Sequence, residues 1–217
     1  MRSKFDMQLA NLNKELIEMG ALCEQVIALA AKSLAEGDIK TAKKIFPLDD
    51  EIDQKERDIE SMCLKMLLQQ QPVARDLRQI SAALKMITDM ERIGDQASDI
   101  AEIIGFMGER TDRKCGDIEN MARAAIKMVT ESVDAYVKQD VEIAKKVISH
   151  DDVVDDYFKK IKTELIEMIS KNPDDGEYAI DLVMIAKYFE RIGDHATNIA
   201  EWVEFSVTGI HKGVDEL

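Results

Sequence analysis

The amino-acid sequence repeats itself. Asp38-Ile-Lys-Thr-Ala-Lys-Lys-Ile45 returns as Asp140-Val-Glu-Ile-Ala-Lys-Lys-Val147, and Asp49 to Asp53 returns as Asp151 to Asp155. Further on, Glu91-Arg-Ile-Gly-Asp95 returns as Glu190-Arg-Ile-Gly-Asp194. Between these blocks the spacing of the copies shortens by three residues, near Pro72 and Pro173. Turns absorb changes of length that packed elements do not. The repeat therefore predicts two like structural units joined in tandem.

Each unit reads as helical. Phe5, Leu9, Leu12, Leu16, Met19, Cys23, Val26 and Ala30 recur at alternating fours and threes, which makes one apolar seam along a helix. That helix runs to about Glu36, where Gly37-Asp38 is a stop followed by a new cap. Residues 38–46 predict a short helix ended by Pro47. A new helix starts near Asp49, uses Ile52, Ile59, Met62, Cys63, Met66 and Leu67, and ends in Gln69-Gln70-Gln71 before Pro72. A third runs from about Val73 to Phe106 through Leu77, Ile80, Leu84, Ile87, Met90, Ala97 and Ile104. Residues 108–116 are charged, carry two Gly and show no period. They predict the link between a first unit at 1–107 and a second at 117–217. Short connections set neighbouring helices antiparallel. The fold class expected is all-α: two tandem three-helix bundles, each with an additional short helix, packed side by side. Aromatics at only 5% and Pro at only 3 in 217 residues favour helices over sheets.

The net charge of -14 sets the partners. Such a surface repels nucleic acid and anionic lipid and attracts cations or basic protein faces. The N-terminal stretch mixes charged and apolar residues from the start, unlike a signal peptide. No run of about 20 apolar residues predicts a membrane span. Cys23, Cys63 and Cys115 are odd in number and scattered, so neither a disulfide framework nor a zinc knuckle is indicated. These features predict a cytoplasmic protein with no nucleic-acid partner and no direct membrane insertion.

The acidic residues carry the chemistry. Glu91, Asp95 and Asp99 stand four apart, which stacks them on one helix face about 5–6 Å apart. Glu190, Asp194 and Asn198 match them in the second copy. Like charges at this spacing destabilise a helix by a few tenths of a kcal/mol per pair, so something should compensate. The same spacing recurs on the preceding helix of each unit, at Asp49/Asp53 and Asp151/Asp155. Asp53 and Glu91 lie almost equally far from the Gln71-Pro72 turn, so an antiparallel pair should bring them level. Oxygen ligands at one level suit divalent cations, and an all-oxygen set admits Mg, Mn, Fe or Zn. The plain alternative is a solvated stripe paired to bases, with Glu190 to Lys187 and Asp53 to Arg57. Arg92 and Arg191 are expected as bundle-edge ion-pair residues, and His150 and His195 as surface histidines. Gly94 and Gly193, mid-helix in both copies, predict a close helix–helix approach. No His has a Glu three residues before it, unlike ferritin-like di-iron sites. No Gly-rich phosphate loop or nucleophile motif is present either. A binding protein is therefore expected rather than an enzyme, with a carboxylate-bridged metalloenzyme or a metal-storage bundle as alternatives.

The doubled Glu-Arg-Ile-Gly-Asp, the two Asp-x-x-x-Asp pairs and the Gln71-Pro72-Val-Ala-Arg-Asp-Leu-Arg78 turn together resemble the PhoU family of phosphate-transport regulators, from about Phe5 to Thr208. The resemblance implies two three-helix bundles related by a pseudo-twofold, often forming homodimers. It implies multinuclear clusters of divalent or trivalent metal on Asp49, Asp53, Glu91, Asp95, Asp151, Asp155, Glu190 and Asp194, with Asp99 and Asn198 as further candidates. Asn198 in place of an acid implies a second site that holds fewer metals or holds them more weakly. It also implies negative regulation of phosphate uptake and of the phosphate-starvation response, through contact with the phosphate transporter ATPase subunit and a membrane sensor histidine kinase.

Overall fold

A computed structural model describes residues 2–70, 73–108 and 116–210. The first unit holds α1 (Arg2–Glu36), the short α2 (Ile39–Ala42), α3 (Ile45–Gln70) and α4 (Ala74–Met107). The second holds α5 (Gly116–Lys138), α6 (Val141–Lys171) and α7 (Gly176–Thr208), with a 3-10 turn at Pro173–Asp175 before α7. The Gln71-Pro72 turn, residues 109–115 of the expected link, and Cys115 lie outside the described residues.

The helix ends obey one local chemistry in both copies. Asp38 caps α2, its carboxylate accepting from Lys40 N at 2.9 Å and from Thr41 Oγ1 at 2.7 Å. Asp140 caps α6, accepting from Glu142 N at 2.9 Å and Ile143 N at 3.2 Å. The residue before each cap takes a left-handed conformation, Gly37 at φ 65° and Gln139 at φ 53°. The cap N–H then reaches back to a carbonyl of the preceding helix, Asp38 to Ser33 and Asp140 to Ala135.

The expected short helix departs from the sequence reading in both units. Pro47 does not end a helix; it lies in the first turn of α3, where a missing N–H breaks no bond. Its ring and absent donor instead forbid a continuous helix from α2, so the chain breaks between Ala42 and Ile45. In the second unit Ser149 stands at the equivalent place, and α6 runs unbroken through the region that is split in the first. The separate short helix therefore belongs to the first unit alone.

Within each unit the helices form an antiparallel three-helix bundle. The outer helix α3 packs on α1 and α4, and α6 packs on α5 and α7. The units meet where α4 lies against α7 and α1 against α5. Both contacts are antiparallel, and each straddles the pseudo-twofold. Across the first, Asp89 meets His195 and Asn198 while Asp99 meets Tyr188. Across the second, α1 comes so close at Gly20 that a Cβ there would stand 3.1 Å from Val133 Cγ2. The Tyr136 hydroxyl donates to the Gln79 carbonyl at 2.9 Å, tying α5 to α4.

The apolar seam read from α1 is buried from Phe5 to Ala30, except that Leu9 is only partly covered. Cys23 and Cys63 are buried thiols, as small core hydrophobes should be. Leu77 is exposed in the first turn of α4, near the exposed Leu68 and Val73 at the end of the α3/α4 hairpin. The two units do not keep separate interiors. One continuous cluster of buried apolar side chains draws on every helix.

Candidate metal centre

The first acidic cluster forms because α3 and α4 pack closely at Gly94. A Cβ on Gly94 would collide with the Asp49 carboxylate and stand 3.2 Å from Ile52 Cδ1. Glycine at this position lets the carboxylate lie against the helix backbone. The Ser98 hydroxyl donates to Asp49 Oδ2 at 2.6 Å, whereas Asp49 Oδ1 is buried with no hydrogen-bond partner. Burial raises the Asp49 carboxyl above its ordinary range; Ser98 draws it partly back, and Asp95 and Asp53 raise it further. Glu91 is likewise raised, by burial first and then by Asp95, with Arg92 opposing and Glu56 and Asp53 adding. The carboxylates of the two helices therefore share one level, as the distances from the turn predict.

The second cluster is built the same way. A Cβ on Gly193 would stand 3.2 Å from Val154 Cγ1 and 3.6 Å from Asp151 Oδ1. Thr197 occupies the place of Ser98 beside Asp151. Burial and then Asp155 raise the Asp151 carboxyl, and Glu190 contributes. Asp194 is pushed up to about 6 by the protein packed around it, then by Glu190 and Asp151, with Lys187 opposing.

Bases line both clusters, including the ion pairs expected of a solvated stripe. Arg57 Nη1 stands 3.7 Å from Asp53, and Arg92 pairs with Asp95 at 3.0 Å and Glu91 at 3.4 Å. Lys159 stands 3.9 Å from Asp155, and Lys187 pairs with Glu190. Among the described residues, no three His, Cys, Asp or Glu side chains are gathered closely enough to hold one metal ion. Mutual repulsion and the neighbouring bases keep the carboxylates level but apart. The donor set itself, hard oxygens with one buried carboxylate oxygen unpartnered, fits a hard cation.

Asp99 and Asn198 are engaged elsewhere. Asp99 lies beside the Tyr188 hydroxyl, and Asn198 Nδ2 donates to Asp89 Oδ1 at 3.1 Å. These are pseudo-twofold-related contacts, since Tyr188 replaces Asp89 and Asn198 replaces Asp99 in the repeat. His195 is not the surface residue expected: its side chain is 19% exposed, and Nδ1 stands 2.9 Å from Asp89 Oδ1. The α4/α7 contact covers it, which no local pattern revealed. His150 is half-buried at the surface, its Nδ1 2.8 Å from the Lys146 carbonyl oxygen. Sequence reasoning missed Glu56, although it lies one turn beyond Asp53 on the same face of α3. It escaped notice because Phe158 takes its place in the second copy, so it does not recur.

A family model described as "PhoU domain" matches residues 16–104 and again 118–203. A protein of Clostridium acetobutylicum, named "Phosphate-specific transport system accessory protein PhoU homolog", is 36% identical over 99% of this chain and 98% of its own length. The crystal structure of PhoU from Pseudomonas aeruginosa superposes with a TM-score of 0.89 at 33% identity, covering 95% of this chain and all of that one. A phosphate transport system regulatory protein PhoU from Streptococcus pneumoniae shares the fold, with a TM-score of 0.88 at 24% identity over 95% of this chain and 98% of that one.

Proposed function

The chain belongs to the PhoU family, and from that premise we propose that it is a non-enzymatic, metal-binding regulator of phosphate uptake. It acts as an accessory protein of the phosphate-specific transport system and restrains both the transporter and the phosphate-starvation response. Its partners are the transporter's ATPase subunit and a membrane sensor histidine kinase, and it works in the cytoplasm as a homodimer. Membership supports the regulatory part of this reading, because the full-length relative is named as an accessory protein of that system. Among the described residues, no helix is long and apolar enough to cross a membrane.

The observation that carries the metal-binding part is the duplicated facing of carboxylates across α3/α4 and α6/α7. Asp49, Asp53, Glu91 and Asp95 would hold cations in the first unit, and Asp151, Asp155, Glu190 and Asp194 in the second. A bound cation would neutralise carboxylates that otherwise repel. The acidic surface, bare or metal-loaded, suits basic patches on the partners, where charge complementarity guides encounter and register. Replacing Glu91 and Asp95 together with Ala should lower the metal content of the purified protein and weaken its co-purification with the ATPase subunit. Unchanged metal stoichiometry would reject the site assignment, and a wild-type protein that fails to capture the ATPase subunit would reject the adaptor role.

A further inference from the structure

Between the second acidic cluster and the α6/α7 turn, the second unit presents an exposed apolar groove. On α6, Phe158, Lys162 and Ile166 stand four apart; on α7, Ile180, Met184 and Lys187 stand four and three apart, so each set makes one stripe along its helix. The stripes line up across the helix pair. Ile166 and Ile180 each lie seven residues from Pro173, and Lys162 and Met184 each lie eleven from it. One level further on, Lys187 Nζ stands 5.5 Å from the Phe158 ring centroid, and Lys162 Nζ stands 5.9 Å from the same ring. Ile166, Ile180 and Met184 are 57%, 61% and 43% exposed. Single apolar side chains on a surface mean little, but several gathered along one groove and edged by charge mark a contact surface.

Shape and charge decide what covers it. A furrow between two antiparallel helices, with anchors at helical spacing, takes a third helix laid along it with its apolar side down. The groove places the Lys162 and Lys187 ammonium groups beside those anchors, in a chain of net charge -14. An acidic helix is repelled by the carboxylate clusters and attracted here, whereas a basic one is attracted by the clusters and repelled here. The equivalent places in the first unit are Glu56, Glu60, Leu64, Ser81, Lys85 and Thr88. Acids replace the ring and the exposed lysine there, and of the apolar anchors only Leu64 remains. An acidic helix is rejected at that surface by like charge and by the missing anchors.

We propose that the α6/α7 groove docks an amphipathic helix of a partner protein, one that carries acidic residues a turn or two from its apolar anchors. The anchors cover Ile166, Ile180 and Met184, and the acids reach Lys162, with Lys187 shared between the partner and Glu190. The site uses none of the carboxylates assigned to metal, so it stands apart from that reading. It also gives the two units different work: both carry an acidic cluster, and the second alone receives this helix.

The test places the photo-cross-linking residue p-benzoylphenylalanine at Met184 of the full-length chain, in the cells that make it. Lys85, the equivalent exposed place in the first unit, is the control. Cross-linked peptides are sequenced by mass spectrometry. Met184, and not Lys85, should yield an adduct on a helical segment of one other protein, with acids spaced a turn or two from leucine-like side chains. Lys162→Glu should lower its yield about tenfold, and reversing the facing acid of the partner to lysine should restore it. No adduct from Met184, an equal adduct from Lys85, an adduct on a basic segment or on a second copy of this chain, or a yield indifferent to Lys162→Glu in folded protein would each overturn the proposal. None of these outcomes reads metal content, so the metal reading is tested separately.

Discussion

At the scale of single residues, the mid-helix glycines show what the carboxylates cost the fold. Glycine costs a helix about 1 kcal/mol relative to alanine, yet Gly94 yields space that the Asp49 carboxylate occupies. Gly94→Ala should destabilise the protein by about 1–3 kcal/mol, as overpacking does. Gly193→Ala meets only the edge of Val154 at 3.2 Å, so its gain in helix propensity should offset most of the strain. Denaturant melts of the two variants check the difference. Asp194 carries a second prediction. Its carboxyl is pushed up to about 6 in the fold. Below that point, and above the ordinary range near 4, the folded protein holds a proton that the unfolded chain has released. Stability from this group is therefore greatest in acid, falls as pH rises through that window and stays low above it. Metal-free protein should melt at a higher temperature as pH is lowered from about 7 to about 5, and Asp194→Asn should flatten that rise. A divalent cation should mimic the proton at neutral pH, raising the melting temperature of the wild type more than that of the variant.

Among the elements, the caps and breaks obey local rules that the two units use differently. Pro47 makes the split between α2 and α3, and Ser149 lets α6 run on. The left-handed position before each cap is a glycine in one copy and Gln139 in the other. A side chain in that conformation is strained by about 1–2 kcal/mol. The glutamine recovers part of this by donating from Nε2 to the Tyr136 carbonyl at 2.8 Å. Gln139→Gly should therefore stabilise the protein by up to about 1 kcal/mol, while Asp140→Ala, which removes the cap of α6, should cost about 1 kcal/mol. Thermal melts of both variants would read opposite signs.

Across the whole molecule, the units share one interior. The buried cluster is continuous, α1 and α5 come into close contact at Gly20 and Val133, and Asp89 and Asp99 each reach a partner on α7. Apolar area buried between the units is lost if either opens alone. Calorimetry should therefore record a single cooperative transition, with calorimetric and van't Hoff enthalpies in agreement; two resolved transitions would show that the repeats fold independently. Tyr136→Phe, which removes the hydroxyl that donates to the Gln79 carbonyl, should lower that single transition without splitting it.

The sequence alone determined the helices, their order, the duplication and the level at which the acids of adjacent helices meet. These depend on periodicity, caps and distance from a turn, and all are local quantities. It even held the reason for Gly94, since two copies spend a glycine mid-helix at the same place. Only the tertiary structure decided what the far side of each helix touches. Asp99 and Asn198 look like members of an acidic face, and His195 like a surface histidine, until α7 crosses α4 and turns them into contacts between the units. Glu56 looks unremarkable until packing sets it beside Glu91. Helix spacing fixes which side chains share a face; which charge waits opposite is settled by the crossing of elements far apart in the chain, and no local pattern encodes that.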